Sequence, residues 1–403
     1  MSTTTPDLEA PAGDDRDDDG ALASSESGRP VRARPALWAR VVAGLVSLIA
    51  SLAMAEVVAG VIRHHAFPFL NLYMEDPVFG VRLEPDASTR LKSRSGHITD
   101  IRTNALGFRG ADWTPAPDDL APGRSVAGRV MLLGDSQVFG YGVEEDETFG
   151  ARLAAMLGPG HEVLNAATPT WGPPEYVASL AELGPRFRPE FVIYVANVAN
   201  DWSEVRVPNA RRTTARDGWA RTRVGEEEPP SDFPGRRFLL GRSHLVYALR
   251  ALFHAADDGA PVLATSATRL VHDLPWLLQP DPPYRSRLTS SVLAAVDACK
   301  PIGCTVIVVG LPLDVQVHPA EWQKYDNEKP IDTGATYRLL GTLLADARAH
   351  GVATLDLLPV LRAVSPGAFQ ADDYHLSPRG HDAVARALAP LLAHASPSNE
   401  AHR

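Results

Sequence analysis

The longest uninterrupted apolar stretch of the chain runs from Val41 to Ile62 and contains one charged residue, Glu56. A helix of this length, at about 1.5 Å per residue, spans a hydrocarbon core of about 30 Å. Glu56 falls near the far end of the stretch, where a carboxylate can reach headgroups or water. The alternative is a buried core helix, but few such helices run this long with so little polarity. The pattern therefore predicts a transmembrane signal-anchor helix within residues 36–64.

Basic residues flank this stretch unequally. Those before it are Arg29, Arg32, Arg34 and Arg40. Only Arg63 follows closely, with His64 and His65 beside it. The positive-inside rule then predicts a cytoplasmic N-terminus, with the rest of the chain extracytoplasmic, in a periplasm or outside the cell. The Ala-Met-Ala sequence that ends at Ala55 also fits a signal-peptidase site, so a secreted form after cleavage is the alternative.

A different pattern begins at residue 129, where short apolar runs alternate with stretches of helical spacing. The runs that predict buried strands are 129–134, 162–165, 191–196, 305–310 and 352–357. The stretches that predict helices are 148–157, 287–298 and 337–350, with a further helical patch at 239–253. Strands that alternate with helices predict an α/β fold, in which a parallel sheet is covered on both faces.

The remaining segments lack such regularity. Residues 1–35 are rich in Asp, Ser, Pro and Gly and cannot bury enough surface to offset their ordering entropy, so we expect a disordered acidic tail there and a second one at 396–403. Residues 65–128 form a Pro/Gly-rich lead-in to a domain over 129–395. The gap between the third and fourth strands is far longer than an ordinary crossover, which predicts an insertion at 202–285 over the sheet edge.

Composition narrows the function further. The formal net charge of −10 leaves no basic surface for nucleic acid, so we expect no nucleic-acid partner. The two cysteines, Cys299 and Cys304, are too few for a structural zinc site. They are either two buried thiols or, if the domain faces an oxidising compartment, a short-loop disulfide. Because no metal set, nucleotide loop or flavin motif appears, we expect no cofactor.

Polar residues follow four of the predicted strands, at the edge where open α/β sheets bind their ligands. They are Gly134-Asp135-Ser136, the loop Thr170-Trp171-Gly172, the pair Asn200-Asp201, and Asp372 with His375. A serine nucleophile needs a base in hydrogen-bond reach and a third group that orients the base. Asp372 and His375 stand three apart, so one turn can place both on the same side. The sequence therefore predicts Ser136 as nucleophile, His375 as base and Asp372 as its partner.

Acyl transfer also needs hydrogen-bond donors for the developing oxyanion. The backbone N–H of Ser136, a loop N–H near Gly172 and the side-chain amide of Asn200 are the candidates. Each motif alone is weak, since G-D-S occurs by chance and Asn-Asp is a common turn pair. Their common placement at strand ends is what favours a catalytic site.

The run LLGDSQVFGYGVEEDETF resembles the nucleophile block of the SGNH/GDSL hydrolase superfamily, and NAATPTWG, VANVANDW and DDYHLSPRGH resemble its other blocks. The lead-in TNALGFRG and the helix with its late Glu56 resemble membrane-anchored bacterial members. The resemblance implies a three-layer α/β/α flavodoxin-like fold and a shallow, solvent-accessible site that acts on esters. It also implies Ser136 as nucleophile and donor, Asn200 as oxyanion donor, and Asp372 with His375 as acid and base.

Two positions depart from the family pattern. In VANVANDW, the third block, Val198 stands where the family has glycine. In NAATPTWG, the second block, the family's glycine aligns with either Thr170 or Gly172. The donor there is a backbone N–H, so either residue could supply it. Of the neighbouring residues, His381 fits a helix start better than a second base, while Asp135 and Asp201 fit loop-fixing acceptors. Trp171 and Trp202 fit buried aromatic area better than sugar stacking.

Three functions fit these residues. The first is a serine ester hydrolase that cleaves O-acyl esters of a cell-envelope carbohydrate or lipid, so the expected partners are an ester-bearing small molecule or glycan and, through Val41–Ile62, a membrane. The second is an O-acyltransferase that uses the same triad, with an acceptor hydroxyl in place of water. The third is a non-catalytic envelope-assembly protein, which the joint presence of Ser136, Asn200, Asp372 and His375 disfavours.

Overall fold

The structure is a computed structural model that describes residues 36–93, 95–223, 233–253, 285–325 and 332–395. The predicted tails 1–35 and 396–403, and part of the predicted insertion, lie outside the described residues. The chain divides into two compact units, Met1–Ala53 and Met54–Arg403. In the first unit the described residues belong to helix α1 (Leu37–Ile62), which continues into the second.

Helix α1 is long and apolar enough to cross a membrane. Its large side chains are exposed along its length, as at Leu45 (54 %) and Ile49 (66 %). Exposed leucine and isoleucine over so many turns are costly in water, at about 25 cal/mol per Å². The predicted helix is thus present, and its insertion in a bilayer stays a prediction.

The lead-in forms two antiparallel hairpins that the sequence did not predict. Their strands are β1 (Tyr73–Asp76), β2 (Gly80–Leu83), β3 (Ser88–Lys92) and β4 (Ile98–Arg102). These strands are four or five residues long, and their apolar positions are too few to show a period of two.

The second unit is built on a five-stranded parallel sheet. Its strands are β5 (Val126–Leu133), β6 (Glu162–Asn165), β7 (Pro189–Asn197), β10 (Thr305–Leu311) and β11 (Ala353–Asp356). Their spatial order is β6-β5-β7-β10-β11, and every neighbouring pair is parallel. With the strands counted along the chain this is the order 2-1-3-4-5 of flavodoxin-like folds. The predicted fold class and all five predicted strands are confirmed.

Helices cover both faces of this sheet. The longer ones are α3 (Phe149–Leu157), α4 (Pro173–Phe187), α8 (Arg285–Cys299), α10 (Gly334–Ala349) and α12 (Pro378–Ala395). Successive strand residues point to opposite faces, so Leu132 and Ile193 pack in the core with α3 and α12, whereas Met131 and Val192 pack in the core with α4, α8 and α10. These two cores hold the strand ends, and hence the loops that follow them, in fixed positions.

The short helices and the described part of the predicted insertion complete the unit. They are α2 (Ser136–Phe139), α5 (Asp201–Glu204), α6 (Asn209–Arg212), strands β8 (Thr213–Arg216) and β9 (Trp219–Thr222), α7 (His244–Phe253), α9 (Asp314–Val317) and α11 (Leu357–Arg362). The described part of the predicted insertion includes residues 202–223 and 233–253, and its placement over a sheet edge stays a prediction. Its β8–β9 hairpin packs beside β1 and β2, and Asn209 Nδ2 donates to the carbonyl of Phe79 (2.8 Å), because the lead-in hairpins supply apolar and polar partners there.

Cys299 and Cys304 form a disulfide across the turn between α8 and β10, with their Cα atoms 4.8 Å apart. Of the two alternatives for the cysteines, the structure contains the bridged one. Cys299 is itself buried in the core beside α4, so its sulfur also fills volume.

We expect the Cys299→Ser/Cys304→Ser variant to lose only about 2 kcal/mol of unfolding free energy, because the closed loop is short. Its ester turnover should persist, because the bridge lies at the amino end of β10, whereas Ser136 lies at the carboxyl end of β5. Denaturant unfolding of both proteins measures the loss, and mass spectrometry of non-reduced protein from native membranes reports the bridge in the cell. Two free thiols in that sample would contradict an oxidising location for the second unit.

Candidate active site

Ser136 lies directly after β5, as the first residue of α2. The carboxylate of Asp135 accepts the N–H of Gln137 (2.9 Å) and so caps this short helix. The sheet order reverses between β5 and β7, and such a switch point is where open α/β sheets form their binding crevice. The local sequence thus places the hydroxyl of Ser136 at the expected edge.

His375 meets Ser136 from the far end of the chain, with Nε2 2.8 Å from Ser136 Oγ. Gln137 fixes the backbone before and after His375. Its Nε2 donates to the carbonyl of Tyr374 (3.1 Å), and its Oε1 accepts the N–H of Leu376 (3.0 Å). The two residues predicted as nucleophile and base are therefore brought within hydrogen-bond reach.

The acid beside His375 is Asp373, not Asp372. Asp373 Oδ2 lies 3.1 Å from His375 Nδ1, although off the direction of the ring N–H, whereas Asp372 accepts the N–H of Ser95. The prediction assumed a helical turn, but residues 371–375 form bends, and α12 starts only at Pro378. Without that helical turn, the bends of the loop bring Asp373, and not Asp372, to the ring of His375.

The electrostatics of Asp373 favour its charged form. Burial opposes ionisation, but the imidazole of His375, the N–H of Tyr374 and the ammonium of Lys324 together hold the pKa of Asp373 below its usual value. Lys324 also donates to the carbonyl of Asp373 (2.9 Å), which fixes the loop. A carboxylate that stays ionised can stabilise an imidazolium on His375.

The loop Thr170-Trp171-Gly172 contains two candidate oxyanion donors, whose surroundings differ. The N–H of Gly172 donates to the carboxylate of Glu175 (3.0 Å), within the helix cap of α4. Thr170 has a φ of +84°, which is rare and strained for a β-branched residue. Since strained backbone gathers at functional sites and the N–H of Gly172 is engaged, we favour Thr170 as the loop donor.

Asn200 joins the third block to the nucleophile. Its Nδ2 donates to Asp135 (2.9 Å) and to Glu204 (3.0 Å), so both amide hydrogens are engaged, while its buried Oδ1 has no hydrogen-bond partner. A Cβ on Gly172 would lie 2.6 Å from Cβ of Glu204, so the glycine lets the second and third blocks approach each other. For Asn200 to serve as an oxyanion donor, one of its two hydrogen bonds must pass to the substrate.

Comparison with known proteins agrees with this arrangement. Residues 285–403 match the family described as "SGNH hydrolase-like domain, acetyltransferase AlgX", a range that includes Asp373 and His375. This match covers less than half of the chain. Comparison with curated protein sequences gives no match.

The chain is also similar, at low sequence identity, to several solved structures. A lipolytic protein of the G-D-S-L family from Desulfitobacterium hafniense DCB-2 has 12% identity and a TM-score of 0.35, over 66% of this chain and 99% of that one. The native M. smegmatis aryl esterase has 15% identity and a TM-score of 0.34, over 66% and 99%. A GDSL-like lipase from Bacteroides thetaiotaomicron VPI-5482 has 11% identity and a TM-score of 0.34, over 66% and 89%.

The site is more closed than the resemblance to SGNH/GDSL hydrolases led us to expect. Ser136 is 3% exposed and His375 is 1% exposed. The ring of Tyr374 stacks on that of His375 with centroids 4.6 Å apart, and Tyr141 lies 5.0 Å away on a tilted plane. These two tyrosines cover the imidazole, and this is why the expected shallow, open site is not observed.

Arg212, within the predicted insertion, connects the loops around Ser136 and His375. Its Nη2 donates to the carbonyl of the strained Thr170 (2.7 Å), and its Nη1 pairs with Glu204 (2.7 Å), the carboxylate that also binds Asn200. One guanidinium thus fixes both loops that carry candidate oxyanion donors.

We expect Arg212→Met to lower kcat about tenfold with little change in KM, because a displaced donor weakens the transition state more than the ground state. Thr170→Gly in the same chain should restore part of the loss, since glycine adopts a positive φ without a clamp. Steady-state kinetics with the exposed neighbour variant Arg211→Met as control checks this. Equal kinetics for Arg211→Met and Arg212→Met would contradict it.

Three supporting residues escaped the sequence analysis. Gln137 and Arg212 have no motif of their own. Arg109 lies in the quoted lead-in block, and it is fully buried and donates to the carbonyls of Phe139 (3.2 Å) and Val143 (2.6 Å) in the loop after Ser136. An arginine inside an otherwise apolar, glycine-flanked block was the available signal, since such a side chain is rarely buried without acceptors.

The other residues singled out by sequence have structural roles. His381 lies on α12 and its Nδ1 accepts the N–H of Phe149 (3.1 Å), while burial lowers the pKa of His381 to about 3. Asp201 is fully buried, which together with the charges of Asp135 and Glu204 raises its pKa well above the usual value. It accepts the hydroxyl of Tyr176 (3.0 Å) and the N–H of Asn197 (2.8 Å).

The two tryptophans are also structural. Trp171 is 0% exposed and its Nε1 donates to the carbonyl of Val81 (2.7 Å), and Trp202 is 1% exposed. Neither presents a free aromatic face for a sugar ring, so burial of aromatic area is the observed role.

Proposed function

We propose that this chain is a serine ester hydrolase that cleaves O-acyl esters through Ser136, His375 and Asp373. The observation that carries the proposal is the 2.8 Å contact between Ser136 Oγ and His375 Nε2, with the carboxylate of Asp373 at His375 Nδ1. A nucleophile, a base and an orienting acid in this order are the requirements for activating a serine.

In the proposed reaction Ser136 Oγ attacks the acyl carbon while its proton passes to His375 Nε2. The N–H groups of Ser136 and Thr170 and the amide of Asn200 stabilise the oxyanion. The C–O bond to the alcohol breaks, the alcohol takes the proton from His375, and an acyl-Ser136 ester remains. Water then attacks this ester and loses a proton to His375. The bond from the acyl carbon to Ser136 Oγ breaks, His375 returns the proton to Oγ, and the acid leaves.

Transfer of the acyl group to another hydroxyl is the second candidate. Two observations favour it: the matched family is described as an acetyltransferase, and both Ser136 and His375 are almost fully buried. A site that excludes bulk water slows hydrolysis of an acyl-enzyme and leaves time for an acceptor hydroxyl. The donor and acceptor would then be carbohydrates or lipids of the cell envelope.

The test uses the full chain in detergent with p-nitrophenyl acetate and with acetylated polysaccharide, alone and with unacetylated glycan acceptors. Hydrolysis predicts equal amounts of p-nitrophenol and acetate. Transfer predicts acetyl groups on the acceptor and a p-nitrophenol rate that rises with acceptor concentration. Activity no greater than that of Ser136→Ala under all conditions would contradict both candidates and favour an assembly role.

We further propose that α1 anchors the chain with its catalytic unit outside the cytoplasm, because α1 is apolar and arginines precede it. We expect a reporter that is active only outside the cytoplasm, fused after Arg403, to be active and to stay with membranes after a salt wash. Release into the soluble fraction would favour cleavage near Ala55, and an inactive reporter would contradict the orientation.

A further inference from the structure

Glu56, the one charged residue of the apolar stretch, binds the start of helix α7. Its carboxylate accepts the hydroxyl of Ser243 (2.5 Å) and the backbone N–H groups of His244 (2.7 Å) and Leu245 (3.1 Å). The first N–H groups of a helix have no partner within it, so a carboxylate there caps the helix and favours its dipole. The N-terminus of α7 is therefore fixed to α1 at Glu56.

The lead-in fixes one side of α7. The ring of His244 stacks on Phe67 with centroids 4.4 Å apart, Tyr247 meets the edge of Phe67 at 5.8 Å, and the guanidinium of Arg63 lies 4.5 Å above the ring of Tyr247. His244 and Tyr247 are three residues apart and so share one side of the helix. This side of α7 is occupied by residues that directly follow α1.

A second stripe of α7 is apolar, and it is exposed in its last two members. Leu245, Leu249 and Leu252 follow the spacing i, i+4, i+7, which aligns them along the helix. Leu249 is 45% exposed and Leu252 is 76% exposed, and in the turn before α7 Phe238 is 58% exposed. Exposed apolar side chains gathered in one short segment mark a surface that meets a partner or a membrane.

The position of Glu56 along α1 identifies that partner. From Val41, where the apolar stretch begins after Arg40, to Glu56 the helix rises about 22 Å, so Glu56 falls in the outer third of a hydrocarbon core of about 30 Å. If α1 crosses the membrane, the N-terminus of α7 thus lies near the outer hydrocarbon boundary. The arginines around α7 do not add to this argument, because Arg236 pairs with Asp217 and both Arg237 and Arg242 pair with Glu84.

We propose that α7 lies in the outer interface of the bilayer that α1 spans, with the stripe Leu245, Leu249 and Leu252 in the acyl boundary. The inference rests on the proposed membrane anchoring. It adds a second membrane contact, which fixes how the catalytic unit is held against the lipid surface. The partner is the bilayer itself.

The test places a fluorophore at Leu252→Cys in the full chain, labelled without reductant so that Cys299–Cys304 stays bridged. The protein is inserted in nanodiscs of phosphatidylethanolamine and phosphatidylglycerol, with nitroxide on the upper acyl chain. We expect a blue-shifted emission at position 252 and the loss of most of it when nitroxide lipid is present. The matched control is Ala345→Cys, an exposed residue of α10, whose emission should not change.

A third label at Val46→Cys, in the centre of α1, reports on the anchor separately. Quenching at 46 by nitroxide deep in the acyl chains, without quenching at 252, would overturn the interfacial placement of α7 and leave the anchor intact. A blue-shifted but unquenched label at 252 would do the same, because protein rather than lipid would then cover the stripe. No quenching at either site would contradict the anchor itself.

Discussion

Ser136→Ala is expected to lower ester turnover by about 10⁴-fold or more, because removal of the nucleophile leaves only substrate binding and oxyanion donors to act. The site should otherwise persist, since Asp135 caps α2 through the N–H of Gln137 and not through the serine hydroxyl. Initial rates with p-nitrophenyl acetate at saturating substrate measure the effect.

The control for this variant is its thermal unfolding, which should match that of the unsubstituted chain within a few degrees. A chain that folds normally and keeps more than a tenth of its turnover would show that another group attacks the ester.

The second large effect distinguishes two adjacent aspartates. Asp373→Asn should lower kcat by about 10³–10⁴-fold, because an amide beside Nδ1 favours the wrong tautomer of His375 and cannot stabilise its cation. Asp372→Asn is the matched control, one residue away with the same change of charge. It should keep nearly full turnover because the Asp372 carboxylate accepts the N–H of Ser95 and, within the described part of the chain, makes no hydrogen bond to His375.

The two variants also separate catalysis from general loop damage. Both aspartates lie in the same irregular segment, so a loss caused by loop disorder would affect both. A large loss in Asp372→Asn with normal Asp373→Asn would restore the acid that the sequence predicted and contradict the observed contact.

The sequence was sufficient to predict the sheet and to bring Ser136 and His375 together as a candidate pair. Runs such as 191–196 are short, apolar and bounded by turn residues, which is what a strand buried on both faces requires. The sequence pattern did not predict α4. Pro173, Pro174 and Pro185 obscure its helical spacing, although a proline is tolerated in the first turn of a helix.

The acidic partner of His375 and the supporting residues could not be predicted from the sequence pattern. The spacing of Asp372 and His375 is decisive only in a helix, and the loop conformation that selects Asp373 depends on tertiary contacts such as Lys324 with the carbonyl of Asp373. Arg212 acts across 42 residues on the carbonyl of Thr170, and no local period reports such a contact. Glu56 was predicted to reach the membrane surface, whereas its actual partner is the start of α7.

The measurement that tests the account most directly is the mass of the enzyme during turnover. The full chain is mixed with p-nitrophenyl acetate, quenched in acid and digested, and its peptides are analysed by mass spectrometry. We predict one acetyl group on the peptide that contains Ser136. This acetyl group should be absent in Ser136→Ala and less abundant in His375→Ala, because the base is needed to form it. An acetyl group on another residue, or turnover with no modified Ser136, would contradict the proposal that this chain acts through an acyl-serine.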